Sequence, residues 1–252
     1  MSLGRRAFLI GAGAGAVVAA CAKGAKAKPP PQSGPSAAAQ PTTTAAPAQP
    51  AGPAVFVSHG PSTSTGVALT FHTAGDPGIT QSILDQAAQL NAKMTFFVVG
   101  TWITANPSMV AAIQQAGHEL GNHTWSHINL PALSADAMHA EIARCADALQ
   151  RETGSISKWF RPSQTDVPSA AILDQAGLVG YATSVGYDVD PLDYQDPGSA
   201  LVLSRTRARI KPGSIVSLHT LYHGTADALG GIVAAIRAKG LEPVTVSTLL
   251  QQ

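Results

Sequence analysis

The sequence is short of charge, of aromatic rings and of cysteine. Charged residues make up 12% of the 252 and aromatics 5%, against about 25% charged in an average soluble domain. Two cysteines exclude a disulfide-stapled scaffold. The 45% apolar share is inflated by 44 alanines, so large core-forming side chains are scarcer than that figure implies. Composition likewise excludes a coiled coil and a collagen-like chain. The net charge of +1 is unevenly divided. Residues 1–54 hold five basic residues (Arg5, Arg6, Lys23, Lys26, Lys28) and no acid. Residues 55–252 carry the other eleven basic and all fifteen acidic residues, a net of −4. A domain of that sign repels phosphates, which argues against a nucleic-acid partner.

What the first 54 residues do contain is an address and a tether. Arg5-Arg6 precede Ala7-Phe8-Leu9-Ile10 and an apolar run that ends near Ala20. A basic start followed by a short apolar stretch reads as an export signal, and paired arginines before Phe-Leu resemble the twin-arginine type. Gly11, Gly13 and Gly15 interrupt the run, which is short for a membrane span. Val18-Ala19-Ala20-Cys21 resembles a lipobox. Lipidation of Cys21 would leave a mature chain anchored at the outer face of a bacterial cytoplasmic membrane; plain cleavage near Ala20 is the alternative. Residues 29–54 carry no charge and are mostly Pro, Ala, Gln, Ser, Gly and Thr. Such a stretch cannot bury enough apolar surface to offset chain entropy. The expected organisation is a leader over 1–21, a disordered Pro/Ala/Thr-rich linker over 22–54, and a folded domain over 55–252.

Within that domain, strand-like and helix-like segments alternate. Strands are expected at Val67 to Phe71, Met94 to Val99, His118 to Gly121, Lys158 to Phe160, Leu178 to Val185, Gly213 to Leu218 and Pro243 to Val246. Helical periods fall at Ile79 to Asn91, from Pro107 to Gly117, and over 134–153, 167–176, 199–210 and 226–239. Alternation of this kind predicts an α/β fold of parallel βα units. About seven units in 200 residues predict a small, distorted (β/α) barrel with its chemistry at the C-terminal strand ends.

The polar clusters fall at those ends. His123 and His127 are four apart just after an apparent strand, a spacing that puts two imidazoles on one face of a helical turn and suits one divalent ion, zinc above all. His219 closes the sixth strand, where it could donate a proton. Asp188, Asp190 and Asp193 lie in the preceding loop, and one of them could orient it. Arg161 precedes Pro162 in an extended segment and could pair with a carboxylate.

Together these residues resemble a family. Gly117-His118-Glu119-Leu120-Gly121-Asn122-His123-Thr124-Trp125-Ser126-His127 closely resembles the histidine motif of the polysaccharide deacetylases, the NodB-homology proteins of carbohydrate esterase family 4. Leu69-Thr70-Phe71, Phe160-Arg161-Pro162, Val189 to Tyr194 and Ile215 to His219 resemble its other motifs, in the family's order. The resemblance implies metal-dependent hydrolysis of N-acetyl, or sometimes O-acetyl, groups on a glycan, peptidoglycan-like or chitooligosaccharide-like. By position it implies that His123 and His127 are metal ligands, that His219 is the general acid and that Asp193 orients it. It places the backbone N–H of Gln164 at the oxyanion and Tyr194 at the wall of the acetyl pocket. Arg161 falls in its arginine motif.

The first motif departs from the family. Where the pattern is Thr-Phe-Asp-Asp-Gly, this chain reads Thr70-Phe71-His72-Thr73-Ala74-Gly75-Asp76. Three readings are open. His72 is the third ligand of a three-histidine site, with Asp76 as base or support. His72 is itself the base and metal binding is weak. Or the site is dead and the domain only binds glycan. Zinc, cobalt and nickel all suit such a histidine set. Cys145 reads as a buried, inert thiol on the long helix, His118 as a packed side chain, His139 as solvent-facing and His59 as a loop residue. His223 falls near the mouth of the site.

Overall fold

The structure, a computed structural model, describes residues 52–251. The leader, the lipidation site Cys21 and all but the last three residues of the linker lie outside the described residues. Among the described residues no helix is long and apolar enough to cross a membrane.

Eight strands run in chain order: β1 (Val55–Val57), β2 (Gly66–Thr73), β3 (Thr95–Val98), β4 (Glu119–Asn122), β5 (Trp159–Phe160), β6 (Thr183–Val185), β7 (Ile215–His219) and β8 (Glu242–Val244). Eight helices alternate with them: α1 (Pro77–Gln89), α2 (Gly100–Ala105), α3 (Pro107–Gln115), α4 (Ala135–Thr153), α5 (Ala170–Val179), α6 (Ser199–Arg209), α7 (His223–Arg237) and α8 (Val246–Leu250). All paired strands are parallel, in the order β1-β6-β5-β4-β3-β2-β7, with β8 also on β2. The ring closes on β7 through a single bridge, Val189 to Val216, beyond the end of β6. There Ser217 N–H donates to Val189 O at 2.9 Å. That thin seam is what makes the barrel distorted.

The strands alternate as pleating requires. Val67, Leu69 and Phe71 of β2 enter the main core with Ile83, Ile103 and Ile232 of the helices. Ala68 packs inside the barrel with Phe97, Trp159, Val185 and Ile215. The interior has room for Phe97 because β4 carries Gly121, where a Cβ would stand 2.6 Å from the Phe97 ring. At the N-terminal end of the barrel α8 acts as a plug. Val246 and Leu249 join the interior cluster, and Glu119 Oε2 accepts from Thr95 Oγ1 and from Ser247 N–H. The opposite, C-terminal end is therefore the open one.

Three readings of the sequence change. β1 (Val55–Val57), three residues long and only partly buried, is a strand that the sequence did not announce. Leu178 and Val179 belong to α5 rather than to a strand, because Gly180, at φ 120°, ends that helix only after them. The short helix α2 has no periodic stretch to announce it, and Pro107 restarts the chain as α3.

His118 is buried behind β3, where its Nδ1 accepts from Met94 N–H at 3.2 Å. Burial first, and Lys93 second, push it down from 6.5 to about 4. An unfolded His118 thus takes up a proton near pH 6.5 that the folded one refuses until about pH 4. This contribution to stability is complete above that window and is lost as pH falls through it. Thermal melting from pH 7.5 to 4 should show Tm falling across the window. In His118→Gln, which keeps an acceptor for Met94, the fall should be shallower. An unchanged slope would place the acid sensitivity elsewhere.

Candidate active site

At the C-terminal strand ends lies a cavity of about 720 Å³, lined among others by His72, His123, His127, Tyr187, Asp190 and His219. β2 and β7 are adjacent and parallel, with His72 and His219 directly opposite in register. Two neighbouring inward positions therefore carry imidazoles. Nδ1 of His72 is 2.9 Å from Nε2 of His219. On its other side, His72 stacks on His123 with ring centroids 4.2 Å apart.

His219 is held by a buried carboxylate. Asp193 is fully buried; its Oδ1 lies 2.7 Å from His219 Nδ1. Its Oδ2 accepts from the His219 backbone N–H and from Thr225 Oγ1, both at 2.7 Å. Three donors on one carboxylate fix both the acid and the ring it orients. Tyr194 stands over the mouth, its ring 5.9 Å from that of His219.

Arg161 is 1% exposed and faces no carboxylate. Nε donates to Val185 O, Nη2 to Gly186 O, and Nη1 to Thr70 Oγ1 and His72 Nε2, all within 3.0 Å. Its guanidinium lies 4.0 Å from the ring centre of Phe97 and 5.4 Å from that of Tyr187. Burial pulls Arg161 down to about 9, so it stays cationic at neutral pH. Tyr187 in turn donates to Asp166 at the rim. Burial, ahead of the charges of Asp193 and Asp166, raises the Asp190 carboxyl. Gln164 lines the cavity with its backbone in the left-handed region, φ 54°, and its side chain donates to His127 O.

The metal expectation meets a mixed donor set. Nδ1 of His123 lies 2.9 Å from Arg161 O, so it carries the proton and donates. The buried Nε2 is left without any partner. A histidine ligand to a metal is oriented in this way, one ring nitrogen donating to a carbonyl and the other left for the ion. The ring of His127 lies against it, centroids 4.9 Å apart. These two fit a divalent cation. His72 does not complete the set, because both of its ring nitrogens are already engaged. Thr73 is fully buried, does not line the cavity, and its hydroxyl has no partner. Among the described residues no three His, Cys, Asp or Glu side chains are grouped where they could hold a metal ion. Nor does Asp76 supply the missing carboxylate. It is exposed and caps α1, its Oδ1 accepting from Gly78 N–H at 2.8 Å. His223 is exposed at the start of α7 and does not line the cavity.

Comparison with known proteins places this geometry. The sequence model of the polysaccharide deacetylases matches residues 59–183. A peptidoglycan-N-acetylglucosamine deacetylase of Bacillus cereus is 31% identical over 201 residues, 76% of this chain and 70% of that one. The chain belongs to the polysaccharide deacetylase family. Its fold is that of the family's solved members. A peptidoglycan N-acetylglucosamine deacetylase superposes with a TM-score of 0.74 at 30% identity, over 78% of this chain and 93% of that one. A carbohydrate esterase family 4 pseudoenzyme from Bacillus anthracis superposes at 0.72 and 25% identity, over 78% and 69%. A mutant of that pseudoenzyme with restored enzymatic activity superposes at 0.74. The chain spans only 38% and 39% of two longer peptidoglycan deacetylases, from Bacillus subtilis and Listeria monocytogenes. Of the residues that the resemblance singles out, His123, His127 and His219 line the cavity, and His72 and Thr73 stand at the positions of its first motif.

Two contacts were invisible in the sequence. Thr225 anchors Asp193 from 32 residues away, and Thr70, although it lies in the first motif, reaches Arg161 from 91. A threonine carries no local signal of such a contact.

Proposed function

We propose that the domain removes acetyl groups, N-acetyl first, from an acetylated polysaccharide of the bacterial cell envelope, of the peptidoglycan kind. The observation that carries this reading is the meeting, in one cavity, of the His219–Asp193 pair with the two imidazoles of His123 and His127. Asp193 orients His219 so that Nε2 is the nitrogen that exchanges protons, and stabilises the imidazolium needed to protonate a leaving amine. His123 and His127 would hold a divalent ion, zinc first by donor type and cobalt or nickel by the same chemistry. Such an ion, when bound, polarises an acetyl carbonyl and acidifies water. The Gln164 backbone and the Tyr194 ring shape the acetyl pocket. The leader supports export by the twin-arginine route, and Cys21 a lipid anchor from which the linker lifts the domain off the membrane.

A second reading has its own observation. Neither residue that replaces the family's Asp-Asp pair offers a base to the cavity: His72 is hydrogen-bonded on both sides and Thr73 is buried outside it. On this reading the domain binds acetylated glycan without turning it over; a pseudoenzyme is among the family's solved members.

Acetate release from peptidoglycan and from chitooligosaccharides, with zinc supplied in excess, separates the two. Turnover by the full chain that disappears in His219→Ala is expected. Saturable glycan binding with no acetate from either substrate would establish the second reading instead.

A further inference from the structure

The feature that neither reading uses is the direction of the hydrogen bonds through His72. Arg161 can only donate, so His72 Nε2, 3.0 Å from Nη1, must accept. An accepting Nε2 carries no proton, so the proton of the ring is on Nδ1. That proton points at Nε2 of His219, 2.9 Å away. The proton of neutral His219 then sits on Nδ1 and faces the Asp193 carboxylate at 2.7 Å. Donation runs one way only, from Arg161 to His72 to His219 to Asp193. With neutral imidazoles and a charged guanidinium, the reverse direction leaves Arg161 facing an N–H.

We propose that His72 is a positioning residue that caps Nε2 of His219, so that His219 presents no free ring nitrogen to the cavity until His72 lets go. The register of β2 against β7 builds the cap in, since it sets the two rings side by side. Arg161 keeps it in one orientation. A carboxylate at position 72 would pair with Arg161 and could not donate, so it could not form the cap. A ligand that needs a proton from His219, or gives one to it, must first break the bond between the two rings.

The test is made on the full chain, uniformly labelled with ¹⁵N. An N–H···N bond transmits a scalar coupling between its two nitrogens. A coupling that joins His72 Nδ1 to His219 Nε2 is expected. The second measurement is acylation by diethylpyrocarbonate, which attacks an unprotonated imidazole nitrogen, read at each histidine by mass spectrometry. Exposed His223 is the internal reference. His72→Phe keeps a ring in place and removes the N–H. His219 should be modified about tenfold faster in that variant, the scale of one neutral hydrogen bond. No coupling in the wild type, or equal modification of His219 in both proteins, overturns the proposal. Should His72→Phe fail to fold, the wild-type coupling decides alone. Neither readout needs turnover, so an absence of acetate release leaves this inference standing, and its failure leaves the deacetylase reading standing.

Discussion

Replacing His72 and Thr73 together by aspartate should raise acetate release by at least about a hundredfold, the lower end of what a positioned general base contributes. Two changes act together. An aspartate at position 72 would meet the Arg161 Nη1 now bonded to His72, and so give a buried guanidinium the carboxylate that it lacks. It would also leave Nε2 of His219 uncapped. Thr73 stands buried and unpartnered beside the cavity rather than in its wall; an aspartate there brings an anionic ligand once the end of β2 turns its charge toward His123 and His127. Zinc content should rise to one per chain in the double variant, measured by elemental analysis after gel filtration. The B. anthracis pseudoenzyme shows that activity can be restored by mutation in this family. A double variant that folds, binds no more zinc and releases no more acetate than the wild type would mean that more than the first motif has been lost.

The second large effect is expected at Asp193. Asn in its place keeps the size but can present an amide where a carboxylate now takes three donors. In a His–Asp pair of this kind the wrong tautomer costs on the order of 10⁴ in rate. For Asp193→Ala the fold suffers as well. The His219 backbone N–H, the His219 ring N–H and the Thr225 hydroxyl all lose their acceptor. At about 1 kcal/mol or more for each buried donor left unpaired, the cost is at least ~3 kcal/mol. That corresponds to a drop of roughly 6–12 °C in Tm for a domain of this size. Calorimetry on both variants checks it. A Tm within a degree or two of wild type for Asp193→Ala would show that water replaces the carboxylate and that the site is wetter than its burial suggests.

The fold was legible because helices and strands here alternate with clean stops. Gly154 ends α4 in the left-handed region, and Ser134 and Ser169 cap α4 and α5 as their residue types suggest. Motif order singled out residues from distant parts of the chain that the fold gathers at one end of the barrel: His123, His127 and His219 in the cavity wall, with Arg161 behind His72 and Asp193 behind His219. The first motif was not legible, for a physical reason. Whether His72 ligates, acts as a base or caps another ring depends on what stands opposite it on β7 and on where Arg161 points. Strand register and the path of a long side chain settle both, and neither has a local signature. Asp76 misled in the opposite direction. An Asp before Pro77 is a helix cap on its own evidence, and closeness in sequence to the lost carboxylates lent it a role that its position excludes.

Cys145 has a use that its inertness creates. Its thiol is fully buried, pushed up to about 12 by that burial, and is the free cysteine among the described residues. Its Sγ donates to Val98 O, the same carbonyl that accepts the backbone N–H of His123. The sulfur thus sits behind His123, the residue whose Nε2 has no partner in the cavity. Reagent reaches it only when α4 lifts from the sheet. The molecule carries a built-in gauge, with no label added, of how often the wall behind His123 opens, and of whether a bound glycan or ion holds that wall shut.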